Sequence, residues 1–217
     1  MRARKKKWSG SELESNPRIL RNETAYSGGL AKYFGDGLPI YLEIGCGKGR
    51  FIIETSRRNP DIHYVAVERD ETILAMAARR AQENAAGSLV FIHADVNEGL
   101  EFIKPGEISR LYINFCDPWP RKKKWAKRRL THDNFISIYE KLQIPEIFFK
   151  TDNRILFEAS LESFSRKNWL MKNISLDLHA SNMEDNIMTE YEEKFSAFGP
   201  IYRLEAYPPN PHILSMR

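Results

Sequence analysis

The sequence predicts one α/β domain built on an open, mostly parallel sheet of seven strands with helices on both faces. Short apolar runs rich in Val, Ile, Leu, Tyr and Phe alternate with segments of helical periodicity, and this alternation is typical of a parallel sheet covered on both sides. The 217 residues suffice for one sizeable core and are few for two. Hydrophobic residues at 42% and charged residues at 29% are near the averages of folded proteins, so neither a disordered nor a fibrous chain is expected.

The elements follow one another in a regular order. Strands are predicted at residues 40–44, 64–68, 89–93, 110–115, 146–150, 175–179 and 201–206, and helices at 49–58, 70–86, 132–141 and 154–168. In the second helix, Ile73, Leu74, Ala77 and Ala81 recur at helical spacing, and Asp70 is placed to cap the N-terminus. Five strand–helix units followed by two further strands predict an open sheet.

The two ends of the chain lack this periodicity. Residues 1–35 are polar and interrupted by Pro17 and Gly28-Gly29, which indicates a basic arm and a connecting segment. The C-terminal YPPNPHILSMR, from about residue 207 to 217, is predicted to be an extended tail. We expect residues 1–217 to form a single domain that carries this arm and this tail.

Cysteine usage and hydropathy favour a cytoplasmic protein. Cys46 and Cys116 form no CxxC motif and no Cys/His pairing at zinc spacing, so neither a disulfide nor a metal site is expected. No stretch approaches the roughly 20 apolar residues of a membrane span. The charged N-terminus is not followed by an apolar segment, which argues against a secretory signal.

Basic residues are clustered rather than abundant. Lys plus Arg number 33 against 29 Asp plus Glu, a net charge of only +4. Five of the cations fall within residues 2–7, and seven of the nine residues 121–129, hereafter the basic run, are Lys or Arg. Such clusters create a local positive field that attracts phosphate, although most charge runs are solvated surface. A polyanionic partner is therefore expected.

The motif LEIGCGKG closes the first strand and opens a helix. Its glycines, Gly45, Gly47 and Gly49, permit a tight turn and close approach of the backbone to a ligand. The pattern reads ExGxGxG, with Glu43 on the strand itself. A dinucleotide fingerprint would need glycine where Arg50 stands, and the GxxxxGK[ST] phosphate loop is absent from the sequence.

Two acids follow at the ends of the next strands. Glu68 lies 19 residues after Gly49, where an acid can accept from both hydroxyls of a ribose. Asp95 follows the third strand and is placed to accept from an adenine amino group. Together the glycine loop and these acids favour S-adenosylmethionine over NAD, because that ligand carries no phosphate and its sulfonium is cationic. Taken singly, each acid would more often be surface or a helix cap.

A second candidate site follows the fourth strand as NFCDPWP. Pro118 and Pro120 restrict the backbone around Asp117 and Trp119, so a carboxylate and an indole are held stiffly at the edge where ligands of open α/β sheets bind. The basic run begins at once. Its cations can bind phosphates, while the carboxylate of Asp117 and the ring of Trp119 can contact a base that has left its helix. Trp125 can either stack on a base or anchor the loop.

These stretches, with KRRLT, FKTDN, LDLHAS and TEYEEKFS further on, resemble the bacterial tRNA (guanine-N7)-methyltransferase family over nearly the whole chain. The resemblance implies a Rossmann-like class I methyltransferase fold that transfers the methyl group of S-adenosylmethionine to N7 of a guanine in the tRNA variable loop. Its implied partner is tRNA, with no DNA and no membrane, and either a monomer or a homodimer is compatible with the sequence.

The resemblance also implies site residues. The family's cofactor positions correspond to Glu43, Glu68, Asp95 and Asp117, the last being the catalytic acid, and the three glycines are taken as cofactor-binding too. Its substrate positions correspond to Arg121, Asp152, Thr189, Glu190, Tyr191 and Glu192, and the basic run adds Lys122, Lys123, Lys124, Lys127, Arg128 and Arg129. Three departures from the family pattern stand out: Arg121 replaces Lys, the basic segment is one residue longer and lacks a His, and the tail is longer.

Within this scheme we expect Asp117 to bridge cofactor and base, and Asp152 with Glu192 to read the guanine edge. TDN and TEYEEKF also fit helix N-termini with capping residues, and both roles can coexist. Three alternatives remain: a methyltransferase of this fold acting on another substrate, a non-catalytic RNA-binding protein, and an NAD oxidoreductase. The intact glycine and acid set disfavours the second, and the Arg50 mismatch disfavours the third.

Overall fold

The computed structural model describes residues 6–21, 28–120, 123–181, 183 and 185–209, with the side chains of 123 and 124 left out. Its sheet has eight strands: β1 Ile19–Leu20, β2 Ile40–Ile44, β3 His63–Glu68, β4 Leu89–His93, β5 Ile108–Asn114, β6 Ile147–Thr151, β7 Leu170–Ser175 and β8 Tyr202–Tyr207. The described helices are α1 Ser9–Ser15, α2 Leu30–Phe34, α3 Arg50–Arg58, α4 Glu71–Glu83, α5 Lys123–Ala126, α6 Asp133–Lys141, α7 Arg154–Arg166 and α8 Glu190–Phe195. Short 3₁₀ turns cover His179–Ser181 and Ser196–Phe198.

The strand order shows at which end of the strands a ligand is expected to bind. The order is β1-β4-β3-β2-β5-β6-β8-β7, and all neighbours are parallel except the pairs that β8 makes with β6 and β7. The chain starts the main sheet at β2, runs outward through β3 and β4, and returns to the other side of β2 with β5. This reversal between β2 and β5 is a topological switch point, where the carboxyl ends of parallel strands open a crevice.

The core lies on both faces of the sheet. On β3, Val65 and Val67 belong to one buried cluster, whereas Tyr64 and Ala66 belong to the other. The alternation follows from the two-residue period of a strand, and burial on both faces explains why the strands read as continuous apolar runs. The α4 helix begins as expected, because the Asp70 carboxylate accepts from the backbone N–H groups of Thr72 and Ile73.

Most predicted elements are present, with ends shifted by a few residues, but the strand expected at 175–179 is wrong. The observed strand, β7, is Leu170–Ser175, and Leu178 instead leads into a 3₁₀ turn with its side chain buried. β7 is an edge strand with four of its six residues exposed. An exposed edge strand needs no apolar run, so the sequence of β7 gave no strand signal. The nearby Leu176 and Leu178 resemble a strand pattern, and the strand was therefore predicted at their position.

The described part of the expected N-terminal arm is folded. Helix α1 packs on α4, where Glu12 accepts from Arg79 at 2.6 Å and the Arg79 guanidinium lies 3.9 Å from the Trp8 ring. The buried β1 pairs with β4 and adds an eighth strand to the seven predicted. A two-residue strand is too short for periodicity to reveal it, so this segment was interpreted as a connection.

Candidate active site

The glycine loop after β2 leaves open space at the switch point. Gly45, Gly47 and Gly49 all have positive φ, at 77°, 56° and 80°, a backbone region that glycine adopts without strain. A Cβ built on Gly45 or Gly47 would meet no atom within 4 Å, whereas one on Gly49 would lie 3.2 Å from the Ala77 Cβ. The first two glycines therefore face a free volume, and the third allows α3 to start close to α4.

Glu68 closes this loop from the neighbouring strand. Its Oε2 accepts from the Gly47 N–H at 3.1 Å, and its Oε1 accepts from the N–H groups of Arg69 and Asp70 at 2.9 and 3.0 Å. The carboxylate is thus fixed at the end of β3 and lines the cleft described next. This position fits the expected binding of two vicinal hydroxyl groups.

A cleft at the carboxyl edge joins the two stretches singled out in the sequence. Polar side chains at its wall come from Glu68, Asp95 and Asp117, while Val67, Ala94, Val96 and Leu130 supply apolar surface. This cleft is hereafter the switch-point cleft. Arg69, Asn97 and Arg128 also line it, so the wall is mixed in character. A concave site with convergent polar groups is the usual form of a small-molecule site, and the adenosine portion of S-adenosylmethionine offers both polar and apolar groups to such a wall.

Asp95 is held by its own loop. Its Oδ1 accepts from the backbone N–H and the side-chain amide of Asn97, at 3.0 and 2.8 Å. Partial burial raises its pKa, but these hydrogen bonds and the charges of Arg69 and Arg128 outweigh that effect, so the pKa lies below its usual value. The ionised carboxylate is therefore favoured, as an acceptor for an amino group requires.

Asp117 lines the same cleft and follows an unusual backbone turn. Its carboxylate is 57% exposed and accepts from Arg69 at 2.9 Å, so it is available to a ligand. The turn is made at Phe115, which directly follows β5, has φ 51° and donates its N–H to the Lys150 carbonyl at 2.9 Å. Phe115 was not among the expected site residues, because no local sequence pattern marks a non-glycine residue with positive φ.

The described part of the basic run divides into inward and outward residues. Trp119 and Trp125 stack with ring centroids 5.4 Å apart, and the Arg128 guanidinium lies 4.4 Å from the Trp119 ring. Arg129 is buried and donates to the Trp119 carbonyl at 2.7 Å. We expected Arg129 to contact phosphate, and its described position is instead structural, holding the DPWP turn.

Of the remaining cations of the basic run, only some lie within the described residues. Lys127 is exposed, as a phosphate contact requires. Arg121 and Lys122 lie outside the described residues, as do Arg2, Arg4 and Lys5 of the expected arm and the tail from residue 210. Lys123 and Lys124 belong to α5, but their side chains are not described.

Glu43 lies beneath the glycine loop, buried within the sheet. Only 1% of it is exposed; its Oε1 accepts from the Asn114 amide at 2.8 Å, and its Oε2 has no hydrogen-bond partner. Burial raises the pKa of this carboxyl group to about 7, although Asn114 and Lys150 lower it. Glu43 is not among the residues that line the switch-point cleft, so its expected contact with the cofactor stays a prediction.

Helix α8 begins with a capping box, as TEYE indicated. The Thr189 hydroxyl accepts from the Glu192 N–H at 2.9 Å, and the Glu192 carboxylate accepts from the Thr189 N–H. Glu192 is fully buried, and its Oε2 accepts from Lys150 Nζ at 2.7 Å. We expected Glu192 to read guanine; the structure gives it a different role, as the buried anchor of α8.

The neighbouring residues of α8 join the two sides of the site. The Tyr191 hydroxyl donates to Asp152 Oδ2 at 2.9 Å, and its ring centroid is 5.1 Å from that of Phe115. Burial and the hydrogen bond to Asp152 raise the pKa of Tyr191 to about 12, so it remains a hydrogen-bond donor. Two further ion pairs connect Glu190 with Arg80 and Glu193 with Arg50.

Comparisons with known proteins agree with this geometry. A family model described as "Putative methyltransferase" matches residues 38–204. The tRNA (guanine-N(7)-)-methyltransferase of Listeria innocua serovar 6a is 48% identical over 210 residues, which cover 95% of this chain and 98% of that protein. The protein of the same name from Bacillus subtilis (strain 168) is 45% identical over 209 residues, which cover 94% and 98%.

Solved structures show the same fold at low sequence identity. An antibiotic-related methyltransferase matches with a TM-score of 0.59 and 16% identity, covering 82% of this chain and 90% of that one. A variant of the 16S rRNA (adenine(1408)-N(1))-methyltransferase of Catenulisporales acidiphilia, solved with its cosubstrate SAM, matches with a TM-score of 0.58 and 14% identity, covering 83% and 90%. Within the described residues, no helix combines the length and apolarity needed to span a bilayer. The sheet order, the switch-point cleft and the close relatives together place the chain in the bacterial tRNA (guanine-N7)-methyltransferase family of class I S-adenosylmethionine-dependent methyltransferases.

Proposed function

We propose that the chain transfers the methyl group of S-adenosylmethionine to N7 of a guanine in the variable loop of tRNA. One observation carries the proposal: the switch-point cleft brings the glycine loop, Glu68 and Asp95 together with Asp117 of the DPWP turn. The first three suit an adenosine, and the fourth faces the same cleft from the strand that leads into the basic run. The names of the close relatives support the same reaction.

The reaction needs little chemistry from the protein. S-Adenosylmethionine supplies a methyl group on a cationic sulfonium, and as the N7 lone pair forms a bond to the methyl carbon, the carbon–sulfur bond breaks and its electron pair remains on sulfur. N7 carries no proton, so no general base is required. Catalysis then consists mainly of holding the donor and acceptor atoms in line, an effect that can reach about 7–11 kcal/mol.

The acids of the site stabilise the charge that moves during transfer. Positive charge leaves the sulfur and appears on the purine ring, so a carboxylate within reach of both favours the transition state. We assign this role to Asp117, which is exposed to the cleft. We assign base reading to Asp152, which accepts from the Tyr191 hydroxyl at 2.9 Å: its carboxylate would accept from guanine N1–H and the 2-amino group, which adenine cannot offer in the same way.

Binding of tRNA requires contacts to its phosphates around this site. The exposed Lys127, with the neighbouring cations of the basic run, is assigned to the tRNA backbone, because phosphate contacts position a nucleic acid without reading its sequence. An enzyme that modifies tRNA works where tRNA is present, and we therefore assign the protein to the cytoplasm. Whether it works as a monomer or a homodimer does not alter this assignment of residues.

The test is transfer of labelled methyl from S-adenosylmethionine to unmodified tRNA, followed by borohydride reduction and aniline cleavage, which cut the chain at 7-methylguanosine. We expect cleavage at one variable-loop guanine. Incorporation without cleavage would keep the methyltransferase and refute N7, and no incorporation despite cofactor binding would point to another substrate. Asp152→Asn, which retains the size of the side chain, should lose tRNA methylation while binding the cofactor normally; normal turnover would remove Asp152 from base reading.

A further inference from the structure

Phe115 has a backbone conformation that its residue type disfavours. Its φ of 51° lies in the left-handed region, where a bulky side chain is an outlier and costs free energy unless the surroundings hold it. The bond from its N–H to the Lys150 carbonyl at 2.9 Å supplies such a restraint, because it ties the turn to β6. Strain of this kind clusters at ligand sites, and Phe115 lines the switch-point cleft.

Phe115 is connected to both acids assigned to the guanine. Asp117 follows it by two residues and shares the cleft wall. The Phe115 ring also contacts Tyr191, with 5.1 Å between centroids and 38° between planes, and the Tyr191 hydroxyl donates to Asp152. This aromatic pair, hereafter the aromatic wall, therefore links the cleft that Asp117 lines to the Asp152 carboxylate.

An aromatic wall suits a base that becomes positively charged. A flipped guanine can stack on an aromatic side chain, and the ring gains a full positive charge when N7 is methylated. The face of an aromatic ring attracts cations, so the contact becomes stronger as the methyl group is transferred. An interaction that is stronger in the transition state than in the ground state raises kcat.

We propose that Phe115, supported by Tyr191, positions the guanine and stabilises the positive charge that develops on its ring. This inference rests on the proposed function, because it takes guanine N7 as the methyl acceptor. Phe115 would thus contribute to kcat, although it was not among the site residues expected from the sequence.

The first test replaces Phe115 by Leu and by Tyr and measures steady-state methylation of tRNA. Leu keeps a bulky apolar side chain in the same strained backbone but has no aromatic face, so kcat should fall by roughly tenfold, the effect of a cation–π contact partly removed from water. The KM for S-adenosylmethionine should remain at its wild-type value, and Phe115→Tyr should retain kcat. Phe198→Leu is the matched control, because Phe198 is 82% exposed and ends the aromatic row that runs from Tyr191 through Phe195.

A second test separates ring electrostatics from packing. Phenylalanines carrying one, two or three ring fluorines keep the shape of Phe115 while progressively weakening the attraction of its face for cations. We expect log kcat to fall steadily along this series, with thermal stability unchanged. A kcat that is constant across the series, or a Phe115→Leu variant as active as the wild type, would overturn the inference. Failure of the proposed function would look different, since the wild-type protein itself would then give no aniline cleavage.

Discussion

Glu43 is a residue whose charge state is coupled to folding. In an unfolded chain a glutamic acid titrates near 4.3, whereas burial raises the pKa of the folded Glu43 to about 7. Between these values the folded protein holds a proton that the unfolded chain has lost. Stability therefore falls as pH rises from about 4.3 to about 7, and the full cost remains above pH 7.

The variant Glu43→Gln should remove this dependence. Gln resembles the protonated acid and can still accept from Asn114, so the variant should match the wild type near pH 4.5 and become more stable than it by on the order of 3 kcal/mol at pH 8, at about 1.36 kcal/mol per pKa unit. Thermal unfolding of both proteins across this pH range measures the difference. Glu98→Gln, at an exposed acid, is the control. A Glu43→Gln difference that does not change with pH would contradict the prediction.

Among the elements, α8 depends most visibly on buried charge. Its six residues are too few to be stable as an isolated helix, and Glu192 anchors them through Lys150 of β6, with side chains 0% and 7% exposed. Asn186 donates to the other Glu192 oxygen at 2.7 Å. Burial lowers the pKa of Lys150, and the charge of Glu192 only partly offsets this. Tyr191, and with it the aromatic wall, is therefore held in place by a buried ion pair.

Lys150→Met should destabilise the protein more than an ordinary surface change. It leaves the buried Glu192 carboxylate with only His179, at 3.2 Å, and the Asn186 amide as polar side-chain neighbours among the described residues, and breaking a buried ion pair in this way typically costs about 3–5 kcal/mol. Urea unfolding measures the loss. The double variant Lys150→Met with Glu192→Gln no longer buries a charge and should recover most of the stability. A double variant no more stable than Lys150→Met alone would show that the charge of Glu192 is not the cause.

The elements also show where sequence patterns are sufficient. The interior strands were predictable because both of their faces are buried, as at Val65 on one face of β3 and Ala66 on the other, and the start of α8 because a capping box has a fixed spacing. The edge strands β1 and β7 were not, since one has two residues and the other is largely exposed. A hydrophobic pattern reports burial, and an edge strand that stays exposed leaves no such pattern.

Across the whole molecule, residue types predicted the site better than they predicted individual roles. The glycine loop, Glu68, Asp95 and Asp117 do meet at one edge, because the carboxyl ends of parallel strands must converge there. The burial of Glu43 and Glu192 and the inward direction of Arg129 depend on packing between distant segments. Neither spacing nor composition contains that information.

The basic run contains an exposed cation, Lys127, and a buried one, Arg129, and their effects on tRNA binding and on stability can be compared. An exposed cation that neutralises one phosphate contributes about 0.9 to the slope of log affinity against log salt, so Lys127→Ala should weaken tRNA binding at low salt and reduce that slope by about one, without changing the melting temperature. Arg129→Ala should instead lower the melting temperature, since its guanidinium holds the Trp119 carbonyl. Lys141→Ala is the control. This exposed lysine ends α6, and because α6 connects the parallel strands β5 and β6, it returns the chain to the amino ends of the strands, away from the switch-point cleft. Binding titrations at several salt concentrations give the slopes, and an unchanged slope for Lys127→Ala would place the tRNA backbone elsewhere on the protein.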